Sequence, residues 1–127
     1  MKATELRIGN WVRLNVRPIE KYQVTQILEK GVNCGDVGFL YDVAEPIPLT
    51  EEWLERFGIM QNTWFEDGSY MIKEDRGFGW EMYVRNAVKT KRISFAYFKH
   101  VHQLQNLYFA LTGEELQTDE TDQKVNL

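Results

Sequence analysis

The chain is poor in the residues that most small functional sites are built from. Among 127 residues there is one cysteine, Cys34, and there are two histidines, His100 and His102. A single cysteine excludes an intrachain disulfide and every zinc site that needs two thiolates. No window approaches 18 consecutive apolar residues, so no membrane-spanning helix is expected. The opening Met1-Lys2-Ala3-Thr4-Glu5-Leu6 has charge but no apolar stretch behind it, and is not a secretory leader. These absences lead us to expect a cytoplasmic protein, with no cofactor and no metal. Acid is missing over one long stretch. From Met82 to Gly113 there is no Asp or Glu at all.

What is present makes a core. Hydrophobic residues are 43% of the chain, aromatics 13% and charged residues 27%, a globular composition that needs no staple. Residues 1–113 hold fourteen Lys/Arg and fourteen Asp/Glu, so the net charge of −4 arises entirely after Gly113. There Glu114, Glu115, Asp119, Glu120 and Asp122 face only Lys124. We therefore expect one domain over 1–116 and a flexible acidic tail over 117–127.

Hydrophobic periodicity divides the body into strands and two helices. Trp11–Val16 alternates and is bounded by Gly9-Asn10 and Pro18, which predicts a half-buried strand. A second strand is expected over Lys21–Glu29, and a hairpin over 32–43 around Gly35-Asp36. Thr50 precedes Glu51 and Glu52, Leu49 and Leu54 have the spacing of a hydrophobic staple, and Gly58 follows. This predicts a short helix at about 51–57 with Trp53, Leu54 and Phe57 inward. Asp67-Gly68 predicts a hairpin of 63–66 with 69–73, followed by strands at 78–85 and 91–95. Val101, Leu104, Leu107, Tyr108 and Leu111 form one stripe of a second helix at about 100–112, ended by Gly113. The expected fold is α+β: a small antiparallel barrel or curled sheets with two helices.

That second helix carries no Lys, Arg, Asp or Glu. Opposite its apolar stripe lie His102, Asn106 and Ala110, flanked by Gln103 and Phe109. A surface helix ordinarily places charge there. An uncharged, amide-rich face has the composition of an interface, or of a face covered by the chain itself. His102, Gln103, Asn106 and Phe109 are thus candidate contacts with a protein partner or a second copy. The acid-free window supplies the other candidate. Arg85, Lys89, Lys91, Arg92 and Lys99, with Tyr97 among them, have the mix of cations and aromatics that binds nucleic acid. The acidic tail and a pI of 5.2 weigh against that reading.

No constellation carries catalysis. His100 and His102 are two apart and diverge on a helix. Gly77-Phe78-Gly79 and the pair Gly35 and Gly38 lack the frame of a phosphate loop. Cys34 reads as a small core residue. No catalytic residue is assigned, and a non-enzymatic role is expected.

Three blocks, "ELRIGNWV" near the start, "EPIPLTEEWLERFGI" in the centre and "VHQLQNLYFALTGEEL" near the end, resemble a family of small uncharacterised proteins of Bacteroidetes, their phages and prophages. The resemblance brackets residues 1–116 but skips 60–95. It implies a phage or mobile-element setting and supplies no catalytic residue. Together these readings give an interaction module that binds a protein partner or itself through the charge-free helix, with a nucleic-acid accessory role for the basic 85–99 segment as the alternative.

Overall fold

The structure is a computed structural model that describes residues 1–15, 20–75, 79–86, 88 and 91–118. They form two compact units. The first takes Met1–Pro48 and His100–Leu116, and the second takes Leu49–Lys99. Three small antiparallel sheets and two α-helices make an α+β architecture of curled sheets. No barrel closes among the described residues.

In the first unit, a 3-10 turn at Ala3–Glu5 precedes strand β1 (Trp11–Leu14). β1 is the middle strand of a sheet, between β2 (Lys21–Gln23) and β6 (Ala44–Pro46). The expected strand 21–29 is divided. After β2 the chain breaks at Val24 and Thr25, then enters β3 (Gln26–Ile27), which belongs to a second sheet. The break has a cause: the Val24 N–H donates to Asn10 O at 2.8 Å, and the Thr25 N–H donates to Asn33 O at 2.8 Å. β3 pairs with β4 (Gly31–Cys34), which pairs with β5 (Val37–Leu40) through the Gly35-Asp36 turn. Gly35 sits at φ 66°, a left-handed position that a side chain disfavours. Leu6, Val12, Val24, Val32 and Cys34 form the core cluster, with Tyr22 and Phe39 packed edge-on beside it. Burial pushes the Cys34 thiol up to about 11, in keeping with its place in the core cluster.

Helix α2 (Val101–Thr112) closes this unit. It ends on Gly113 at φ 76°, whose N–H donates to Phe109 O at 2.8 Å. Val101, Leu104 and Tyr108 of the expected stripe are buried, but Leu107 and Leu111 are only half-buried. His102 and Gln105 take the remaining buried places. The buried arc is therefore rotated away from the purely apolar stripe. Leu116 is the last buried residue, and most of the expected acidic tail, 119–127, lies outside the described residues.

The second unit begins with α1 (Glu51–Arg56). Thr50 Oγ1 accepts the Trp53 N–H at 3.3 Å, and Glu51 and Glu52 occupy the positive end of the helix dipole. Trp53, Leu54 and Phe57 are buried, as their spacing predicts. The expected strand 63–66 does not form. Glu66, Asp67 and Gly68 take φ of 53°, 58° and 82° in succession, and three left-handed residues cannot continue a strand. Only Phe65 bridges to Tyr70. The strands of this unit are β7 (Tyr70–Asp75), β8 (Gly79–Arg85) and β9 (Arg92–Phe98), in that order across one sheet. β9 runs three residues beyond the expected end at Phe95. Ile72, Trp80, Met82 and Phe98 bury one face of the sheet, and Trp80 Nε1 donates to Leu49 O at 3.0 Å. Among the described residues no helix is long and apolar enough to cross a membrane.

Candidate functional site

Part of the uncharged surface of α2 is occupied by the chain's own residues 5–11. Gln105 is fully buried. Its Oε1 accepts the Trp11 N–H at 2.9 Å, and its Nε2 donates to Gly9 O at 2.9 Å. Asn106 Nδ2 donates to Glu5 O at 3.0 Å, while its Oδ1 accepts from Asn10 Nδ2 at 2.9 Å and Arg7 Nη1 at 3.3 Å. Asn10 is fully buried, and its Oδ1 accepts the Arg7 N–H at 2.7 Å. An amide carries both a donor and an acceptor, so it can satisfy a neighbouring peptide's N–H and C=O together. A charged side chain can satisfy one only and adds a desolvation cost. The absence of charge at Gln105 and Asn106 follows from this packing.

The four candidate contact residues separate accordingly. His102 is 3% exposed, which corrects its expected place on an open face. Asn106 is half-buried and engaged by residues 5–10. Phe109 is partly exposed, with the Arg7 guanidinium 3.9 Å from its ring centroid and Arg7 also paired with Glu115. Gln103 is exposed, and its Oε1 accepts the His100 N–H at 3.0 Å, which closes the helix entry.

The second candidate lies on β9, the edge strand of the β7–β8–β9 sheet. Arg92, Ile93, Ser94 and Phe95 are exposed in succession. Ile93 and Tyr97 are each 63% exposed and Phe95 is 46% exposed. Lys91 and Lys99, at the two ends, are exposed. Arg92 places its guanidinium 5.1 Å from the Tyr83 ring centroid. Arg85 does not join this surface as a free-standing cation. Its guanidinium lies 3.9 Å from the Trp64 ring centroid, and its Nε donates to Gly68 O. Lys89 lies outside the described residues.

The register brings in residues that the acid-free window hides. Lys73, Glu81 and Tyr97 line up across the three strands, and Tyr83 faces Ser94. Between these rows the register shifts at Met82/Tyr83, so Phe95 is the extra residue of a bulge. Glu81 is nearly covered and accepts three hydroxyls, from Ser94, Tyr97 and Tyr83, the last at 2.8 Å. Those hydrogen bonds hold its carboxyl below the usual carboxylate range. The same carboxylate pushes the Tyr83 and Tyr97 hydroxyls up.

No family model, curated protein or solved structure matches this chain.

Exposed rings on β9 can stack on planar groups, and the flanking cations can meet phosphates. The bulge and the flanking lysines discourage pairing of a further strand along the same edge. That leaves the side chains as the contact surface. Glu81 was missed in the sequence because it lies one residue before the acid-free window; only the register sets it against Tyr97. A second concavity, of about 330 Å³, lies beside α1 and is lined by Glu51, Glu55, Gly58, Ile59, Met60 and Gln61. Gln61 is already held there, donating to Glu51 Oε1 at 3.2 Å and accepting the Glu74 N–H at 3.0 Å. Among the described residues no group of three or more His, Cys, Asp or Glu is placed to hold a metal ion.

Proposed function

We propose that this protein is a non-enzymatic binding module that holds single-stranded nucleic acid along β9. One observation carries the reading: Tyr97 and Phe95 are exposed on an acid-free edge strand whose ends carry Lys91, Arg92 and Lys99. The rings offer stacking surfaces of no particular base preference, and the cations offer sequence-independent attraction to the backbone. Glu81 lies behind the strand's outer row. Its charge steers phosphates toward the two basic ends, leaving the central rings for bases. The phage or mobile-element setting is taken from the resemblance of the three sequence blocks. The protein-partner reading of α2 keeps a smaller patch, since residues 5–11 engage His102, Gln105 and Asn106 while Gln103, Phe109 and Ala110 stay exposed.

The test is fluorescence anisotropy with labelled single-stranded DNA and RNA oligonucleotides of mixed sequence at low salt. Replacing Lys91 and Arg92 by Ala should weaken binding to all sequences alike. Tyr97→Ala should weaken it by about 1–3 kcal/mol, the worth of one stacked base. No binding at low salt, or binding indifferent to all three changes, overturns the proposal.

A further inference from the structure

His102 is buried where nothing satisfies its second ring nitrogen. Nε2 lies 3.8 Å from Glu5 Oε1, and Nδ1 is buried without a hydrogen-bond partner among the described residues. The imidazole is stacked on His100, with ring centroids 5.9 Å apart and planes 17° apart. It sits on the first turn of α2, against the Ala3–Glu5 turn. Two titratable groups face it: the Glu5 carboxylate from that turn and the His100 imidazole from the helix entry.

We propose that His102 is an acid-sensitive latch: when neutral it lets the Ala3–Glu5 turn close on α2, and when protonated it forces that contact open and bares the first turn of the helix. A neutral imidazole leaves one acceptor unpaired at Nδ1, a modest cost. An imidazolium carries a proton on both nitrogens. Glu5 stands near Nε2 but no acceptor stands near Nδ1, so a charged, buried N–H is left unmet. Opening the turn admits water to it. Burial is the larger influence and holds the imidazole below its ordinary range; Glu5 opposes this and His100 adds to it. The sign follows. The open form takes up the proton first as the pH falls below about 6.5, so opening gains on closure from there downward. The element that opens is small. Leu6 stays in the core cluster, and Asn10 and Gln105 continue to hold the chain beyond it.

The test is hydrogen exchange by mass spectrometry on the whole chain, as protection factors corrected for the pH dependence of the chemistry. Between pH 7.5 and 5.5 an opened imidazole gains a factor of about ten in proton-linked population. Protection of residues 3–6 and of the first turn of α2 should fall by up to about tenfold, while β7 and β8 keep theirs. His102→Gln should abolish the fall. His100→Asn, which keeps a good capping residue, should leave it intact. Glu5→Gln, at a more exposed site, covers the case in which His102→Gln does not fold. It should move the His102 midpoint, followed by the ring Cε1–H resonance, further down. Unchanged protection in the wild type overturns the latch, as does an equal fall in His102→Gln or loss of the effect in His100→Asn. A His102 midpoint that Glu5→Gln leaves in place overturns it too.

Discussion

Glu81 and Tyr97 stand opposite one another on β8 and β9, and the Tyr97 hydroxyl donates to the Glu81 carboxylate. Tyr83 and Ser94 donate to the same group. One carboxylate thus fixes three hydroxyls beside the exposed strand, and it ties the rings of the proposed binding surface to the sheet beneath.

This arrangement predicts a titration. Tyr83 and Tyr97 should ionise above the ordinary tyrosine value of 10.0, because the Glu81 carboxylate holds both protons. Glu81→Gln should bring the two back toward that value and leave the other tyrosines where they are. Tyrosine Cζ resonances followed with pH read each ring separately. Two midpoints that do not respond to Glu81→Gln contradict the network.

Gln105 predicts a stability effect out of proportion to its chemistry. Gln105→Leu keeps the volume but takes the Gln105 acceptor from the Trp11 N–H, while Gly9 O keeps its bond from Gln23 Nε2. The cost should be about 1–3 kcal/mol, chiefly from the one buried backbone N–H. Gln103→Ala, on the exposed side, should cost about 1 kcal/mol or less through the helix entry alone. Urea unfolding of the two variants checks the order. Equal costs contradict the packing of residues 5–11 on α2.

That same packing explains what was legible in the sequence. The α1 signal was complete because cap, staple and stop are all local, and Thr50, Leu54 and Gly58 fall where the spacing places them. α2 was legible in extent but not in facing. Its periodicity marks apolar residues only, whereas the buried arc includes His102 and Gln105, whose partners lie some ninety residues away. The strand expected at 63–66 failed for the opposite reason. Asp67-Gly68 does make a turn, but Glu66 joins it in the left-handed region, and the pairing passes to β8. The basic segment was legible as composition, yet Arg85 is engaged with Trp64 and Gly68, and Glu81 enters through register.

The first unit makes a prediction of its own at Gly31. A Cβ there would lie 2.2 Å from Phe39 O, a backbone atom of the paired strand. Gly31→Ala should therefore cost about 2–3 kcal/mol, as overpacking against a fixed neighbour does. At Gly38 the nearest atom is Asn33 Oδ1, at 2.6 Å, the end of a side chain that can turn away. Gly38→Ala should cost less. Thermal unfolding of the two single variants decides it, and the reverse order contradicts the β4–β5 geometry.

The central claim is that β9 binds the nucleic-acid backbone through Lys91, Arg92 and Lys99. Its most direct test is the salt dependence of binding to a single-stranded oligonucleotide. Three phosphate contacts predict a slope of log K against log[salt] of about −2, or roughly 40-fold weaker binding at 300 mM than at 50 mM. Lys99→Ala should reduce the slope by about 0.7. A slope near zero, or no measurable binding at 50 mM, contradicts the account.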